Sequence, residues 1–160
     1  MIFATVGTHE DPFNRLIVEL ERLQPGLAEP VVIQSGYSTA AAPHCTVVPM
    51  MTFAELQDHM ARARVVVTHG GPASIMQALA HGKVPVVVPR QAKFGEHVDD
   101  HQVRFSARIA DRVVRVLDIG ELSVALTTAA RRSTASNANP AAAFAARFDG
   151  LCEEVLARPR

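Results

Sequence analysis

Hydrophobic and polar positions alternate along this chain in blocks of changing period. Residues 2–6 form a short apolar run that ends at Gly7-Thr8-His9. Phe13, Leu16, Ile17 and Leu20 then recur at helical spacing, which predicts an amphipathic helix with Asp11 as N-cap and Pro12 at the first helical position. Residues 31–34 and 46–48 read as second and third strands, separated by a loop of small residues at 36–43. Thr52 and Glu55 have the spacing of a capping box, and Phe53, Leu56 and Met60 make the inward stripe of the helix it starts. Residues 65–68 are a continuous β-branched run, the pattern of a strand covered on both faces. The run breaks at His69-Gly70-Gly71-Pro72. A helix from about Ala73 carries Ile75, Met76, Leu79 and Ala80 on one face and ends at Gly82. Residues 84–88 and 113–117 predict two more strands, with a helix over 98–109 between them.

Strands alternating with crossovers predict an α/β domain: a doubly wound, mostly parallel sheet of Rossmann-like type, with right-handed crossovers and the strand order 3-2-1-4-5-6. That order sets strand 1 beside strand 4 where the winding reverses, and ligands of open α/β sheets bind in the crevice there. The loops leaving those two strands are Gly7-Thr8-His9 and His69-Gly70-Gly71. Residues 1–130 are expected to form this domain. Residues 131–143, rich in Ser, Thr, Ala and Asn, read as a linker, and residues 144–160 as a C-terminal helix and tail with Phe144, Phe148, Leu151, Cys152 and Val155 on one helical face.

Composition narrows the function. The chain has 160 residues, 48% of them hydrophobic, enough for one domain with a sizeable core. Lys+Arg and Asp+Glu balance at 16 each, so no basic footprint points to nucleic acid. No stretch approaches the ~20 apolar residues of a spanning helix. The N-terminus lacks the charged region of a signal peptide, and the two cysteines, Cys45 and Cys152, suggest thiols in a reducing cytoplasm rather than a disulfide.

Candidate chemistry gathers at the expected C-terminal ends of strands 1, 4 and 5. Gly70 and Gly71 permit close approach of a ligand to the backbone, and free N–H groups at the start of the following helix, with Ser74, attract phosphate. A tight turn alone is the other reading of those glycines. Gly7, Thr8 and His9 form a second such loop, with a hydroxyl and an imidazole. Gln77, one turn beyond Ser74, suits a ribose hydroxyl or plain solvent. Arg90 and Lys93 suit a diphosphate or a solvated basic loop. His97 and His101 stand four apart, a metal-ligand spacing, but the pattern is not His-Glu-x-x-His and the sequence offers no obvious third ligand, so no metal is expected there. Gln102 lies on the apolar stripe and needs a polar partner, either sugar hydroxyls or a buried backbone group. No Gly-x-Gly-x-x-Gly fingerprint or Walker lysine is present, which argues against nicotinamide cofactors and P-loop chemistry.

Gly7-Thr8-His9 with Phe13, the block from His69 to Met76, Pro85-Val86-Val87-Val88-Pro89-Arg90 and Glu96-His97-Val98-Asp99-Asp100-His101-Gln102 together resemble the C-terminal domain of glycosyltransferase family 28. The resemblance is to stand-alone exopolysaccharide subunits of the PssE type, with a plan similar to the soluble subunit of the dolichol-linked GlcNAc transferase and to the donor domain of MurG. It implies the C-terminal, donor-binding half of a GT-B fold and an inverting transfer from a UDP-sugar to a lipid-linked acceptor, with no cofactor. It further implies a membrane-anchored, acceptor-binding partner subunit of the PssD type, which would hold this cytoplasmic chain at the inner membrane face. Gly7, Thr8, Gly70 and Gly71 fall on the diphosphate side, and His101 and Gln102 on the donor-sugar side; Ser74 and Arg90 are expected to help hold the diphosphate, and His69 and His97 are further candidates for substrate binding. Gln77 matches a position that is often Glu in the family and contacts the ribose. His9 is the candidate base. The alternative is a non-catalytic nucleotide-sugar-binding subunit that enhances a partner transferase.

Overall fold

The computed structural model describes residues 1–135. Six strands form one sheet in the order β3-β2-β1-β4-β5-β6, every neighbouring pair parallel. They are β1 (Ile2–Thr5), β2 (Val31–Gln34), β3 (Thr46–Val48), β4 (Val65–His69), β5 (Val86–Val88) and β6 (Val114–Arg115). The helices are α1 (Asn14–Leu23), α2 (Phe53–Arg62), α3 (Pro72–Ala80), α4 (His101–Arg108) and α5 (Leu122–Ala135). This is the Rossmann-like sheet and strand order expected from the alternating pattern.

The period-2 alternation of a strand sorts the core into two layers. Ile2, Ala4 and Val6 pack with Leu16, Ile17 and Leu20 of α1 and Leu122, Ala125, Leu126 and Ala129 of α5. Phe3, Val32 and Val66 point to the other face, against Met60 of α2 and Ala78 of α3. Each fully buried Leu, Ile or Phe stabilises the fold by about 1.5–3 kcal/mol relative to exposure. The register brings Ala4 beside Ile33 on one side and Val67 on the other, so β1 lies at the centre of the sheet.

Several boundaries differ from the sequence expectation. The first helix starts at Asn14, and Asp11 does not cap it. The Phe13 N–H instead donates to Ser38 Oγ at 2.9 Å, and Asn14 Oδ1 accepts from the Thr39 and Ala40 N–H groups, so the loop after β2 holds this helix end. In α2 the Thr52–Glu55 capping box is present. Burial along its stripe falls from Met60 through Leu56 to an exposed Phe53. On α3 the buried pair is Ile75 and Ala78, while Ala80 is exposed. The helix ends as expected at Gly82, whose φ of 71° is left-handed. Residues 98–100 are bends, and α4 begins only at His101. Helix α5 has no counterpart in the sequence expectation; it runs through residues 131–135, the expected opening of the linker. The rest of that linker, the helix expected at its end and Cys152 lie outside the described residues. Cys45 is a half-buried free thiol, pushed up to about 11 by burial and the nearby Glu21 carboxylate. Among the described residues no helix is long and apolar enough to cross a membrane.

Candidate functional site

The crevice at the C-terminal ends of the strands is built from three chain exits. The first leaves β1. Gly7 there has φ 79°, a left-handed conformation that favours glycine. Its carbonyl accepts from Gln34 Nε2 at 3.2 Å, and the same amide nitrogen reaches Pro49 O at 3.0 Å. Thr5 Oγ1 donates to Gln34 Oε1 at 2.5 Å. A buried Gln at the end of β2 thus ties together the exits of β1 and β3. Thr8, the next residue, is exposed.

The second exit leaves β4 and turns into α3. A Cβ placed on Gly7 would meet the His69 ring at 2.6 Å, and one on Gly71 would meet it at 2.3 Å. The two glycine bends, far apart in sequence, therefore meet across the His69 imidazole. Burial, with a further contribution from the Arg90 charge, pushes His69 down to about 4, so the ring is neutral near pH 7. Helix α3 begins with Gly71 as N-cap and Pro72 in its first turn, and no side chain caps it. Its first N–H groups, with the half-buried Ser74 beside them, make the anion-attracting end of a helix dipole. Gln77 follows on the next turn, also half-buried.

The third exit leaves β5, and here the sequence expectation is corrected. Arg90 does not offer its charge to a diphosphate. It is fully buried, with its guanidinium over the Phe13 ring at 4.9 Å. Its Nη atoms donate to three carbonyl oxygens: Asp11 at 2.7 Å, Glu96 at 3.0 Å and Val6 at 3.0 Å. A buried guanidinium needs several acceptors, and the exits of β1 and β5 supply them. Gln102 takes the backbone alternative: its Oε1 accepts from Gly70 N–H at 2.9 Å and Arg90 N–H at 3.1 Å, binding the ends of β4 and β5 to α4. Gly70 is small because a Cβ there would meet the Gln102 side chain at 2.6 Å. Glu96 carries a role that its place in a polar cluster concealed. Its buried carboxylate forms a two-point pair with Arg15 at 2.8 and 3.0 Å and accepts from Gln91 N–H at 3.0 Å. Arg15 is 81 residues away in sequence, so the pair leaves no local sign.

Histidines form the outer rim. The rings of His9 and His97 lie 4.5 Å apart, as do those of His97 and His101. His9 Nδ1 accepts from the Asp11 N–H at 3.2 Å and lies 3.4 Å from the Asp11 carboxylate. Burial lowers His97, helped by the charges of His101 and His9. Hydrogen bonds from the His101 backbone and ring hold the Asp99 carboxyl down at about 2. The structure therefore brings Gly7, His9, His69, Gly70, Gly71, His97, His101 and Gln102 together at one end of the sheet, with Arg90 buried beneath them.

The comparisons agree with this architecture. Comparison with curated proteins finds no match. Among solved structures, the glycosyltransferase SnogD from Streptomyces nogalater superposes with a TM-score of 0.61 at 18% identity, over 94% of this chain and 43% of that one. The glycotransferase of kitacinnamycin gives 0.59 at 18%, over 88% and 39%. MurG of Acinetobacter baumannii gives 0.55 at 17%, over 86% and 44%. At such identity the likeness is one of fold, and the chain spans less than half the length of each of these proteins. The sequence itself matches the model of the glycosyltransferase family 28 C-terminal domain over residues 1–155, and the chain belongs to that family.

Proposed function

We propose that this chain is the donor-binding subunit of a two-component glycosyltransferase that moves a sugar from a UDP-sugar to a lipid-linked acceptor in polysaccharide synthesis. The observation that carries the reading is the uncapped start of α3, set beside the Gly7 loop where β1 and β4 wind apart. In this reading the N–H groups at that helix end, with Thr8 and Ser74, hold the diphosphate as it becomes the leaving group. Preorganised donors aimed at such developing charge commonly lower a barrier more than any other single effect. A neutral His69 packs between the loops and keeps them at their spacing. The Gln102 amide, His97 and His101 face the donor sugar, and Gln77 meets the ribose with a neutral hydrogen bond. A membrane-anchored partner of the PssD type supplies the acceptor side and places the complex at the cytoplasmic membrane face.

His9 is the candidate base for the acceptor hydroxyl, and its tautomer decides whether it can act. With Nδ1 accepting from Asp11 N–H, a neutral ring carries its proton on Nε2. Base chemistry requires the other tautomer, with Nδ1–H given to the Asp11 carboxylate and Nε2 left open.

Calorimetry with UDP and UDP-sugars, on the chain alone and with its partner, tests the reading. Saturable binding that Ser74→Ala weakens is expected. No binding at millimolar concentration in either form removes the donor role. The second reading, a non-catalytic subunit that enhances a partner transferase, is favoured by Gln77 standing where the family often has an acid. It predicts normal turnover of the reconstituted pair when His9 becomes Ala.

A further inference from the structure

The bends before α4 create an arrangement that a helix would not. Were residues 97–101 helical, Asp99 would project away from both histidines. Instead Asp99 Oδ1 lies 2.6 Å from His101 Nδ1 and 3.7 Å from His97 Nδ1. The third ligand that the sequence did not reveal is therefore between the two histidines. One ligand atom from each of His97, Asp99 and His101 falls within 4.8 Å of the others. Tetrahedral zinc with bonds of about 2.0–2.1 Å sets its donor atoms about 3.3 Å apart, between the two separations seen here.

Two further observations point to a ligand. His97 Nδ1 is buried and has no hydrogen-bond partner, a costly state for a polar atom. Asp99 is already oriented: Arg104 Nη2 meets its Oδ2 at 3.3 Å and the His101 N–H meets its Oδ1 at 3.0 Å. Arg104 adds a positive charge near the site, but on the carboxylate oxygen that the ion would not use.

The geometry points to a divalent transition-metal site made of His97 Nδ1, Asp99 Oδ1 and His101 Nδ1, at the rim of the crevice. Two imidazoles and one carboxylate suit zinc, or nickel and cobalt as substitutes, better than magnesium or calcium. Three protein ligands leave a coordination position for water or a ligand oxygen. Binding exchanges the His101–Asp99 hydrogen bond for bonds to the ion and gives the orphaned His97 nitrogen its partner. The site shares His97 and His101 with the donor-sugar face proposed above, but metal binding is read in the absence of any sugar nucleotide, so the two readings can fail separately.

Untagged full-length protein, stripped with chelator, would be titrated with cobalt(II) and with zinc. Expected are one ion per chain, ligand-field bands of low-symmetry cobalt, and a rise in thermal midpoint with zinc. Asp99→Asn and His101→Ala should each weaken binding by at least about 100-fold, more than the 10- to 100-fold cost of losing a supporting residue. His44→Ala, which removes a surface histidine paired with Glu21 elsewhere, should leave binding unchanged. Should the variants misfold, imidazole NMR of the wild-type protein decides: zinc must shift the His97 and His101 resonances and spare His44 and His59. No binding at large molar excess, undiminished binding in the Asp99 and His101 variants, or shifts confined to other histidines would overturn the site.

Discussion

Arg90 shows how a residue type can suggest one role while its surroundings impose another. A basic residue after a strand suggests a diphosphate ligand, yet the Nη atoms of its buried guanidinium are engaged by three carbonyls inside the protein. Arg90→Met should destabilise the fold by about 3–5 kcal/mol in urea unfolding, since the carbonyls lose their buried donors. A variant that stays stable but loses UDP binding would restore the ligand role. The glycines can be tested against His69. Gly71 has φ −73°, which any residue tolerates, so Gly71→Ala costs only its clash with the imidazole, about 1–3 kcal/mol, and His69→Ala in the same chain should remove that cost. At Gly7 the positive φ remains after the ring is gone, and the rescue should be partial. His69 also sets an acid limb. Its folded value near 4 lies below the ordinary 6.5, so the unfolded chain binds the extra proton first. Stability should be full above about pH 6.5 and fall by up to about 3 kcal/mol as pH drops through 4; a His69→Phe variant, if folded, should lose that slope.

At the scale of elements, local signals are legible in the sequence and long-range ones are not. The Thr52–Glu55 box needs only four consecutive residues and appears as expected. Thr52→Ala should lower stability by about 1 kcal/mol, while exposed Phe53→Ala should change it little. The start of α1 escapes a local reading because its end is held by Ser38, 25 residues away, and Asp11 is drawn towards Arg90 by its carbonyl. α4 begins late because Gly95 turns left-handed and Asp100 gives its carboxylate to the Ala92 N–H instead of a cap. α5 does carry a signal: Leu122, Ala125, Leu126 and Ala129 have helical spacing, but a run of small and polar residues disguises it.

The molecule as a whole is legible because a parallel sheet advertises itself. Continuous β-branched runs, glycine at the strand exits and regular crossovers leave one common strand order, and that order places the crevice. Positions follow from topology, whereas the use of each side chain does not, as Glu96, Gln34 and Gln102 show. The Gln102 bridge can be separated into its parts. Gln102→Glu keeps an acceptor for the Gly70 and Arg90 N–H groups and removes the amide donor, so a folded protein with weaker UDP-sugar binding is expected. Equal binding would confine Gln102 to its structural bridge.

Arg90, Gln34 and Gln102 lash the ends of β1 to β5 and the start of α4 into one piece before any ligand arrives. A wall fastened in this way makes a poor lid. It costs little entropy to present, and it should superpose closely on itself in free and occupied states, with slow amide hydrogen exchange at Gly70 and Arg90. Any motion that closes over a bound ligand would have to hinge outside this wall, which acts as the fixed anvil.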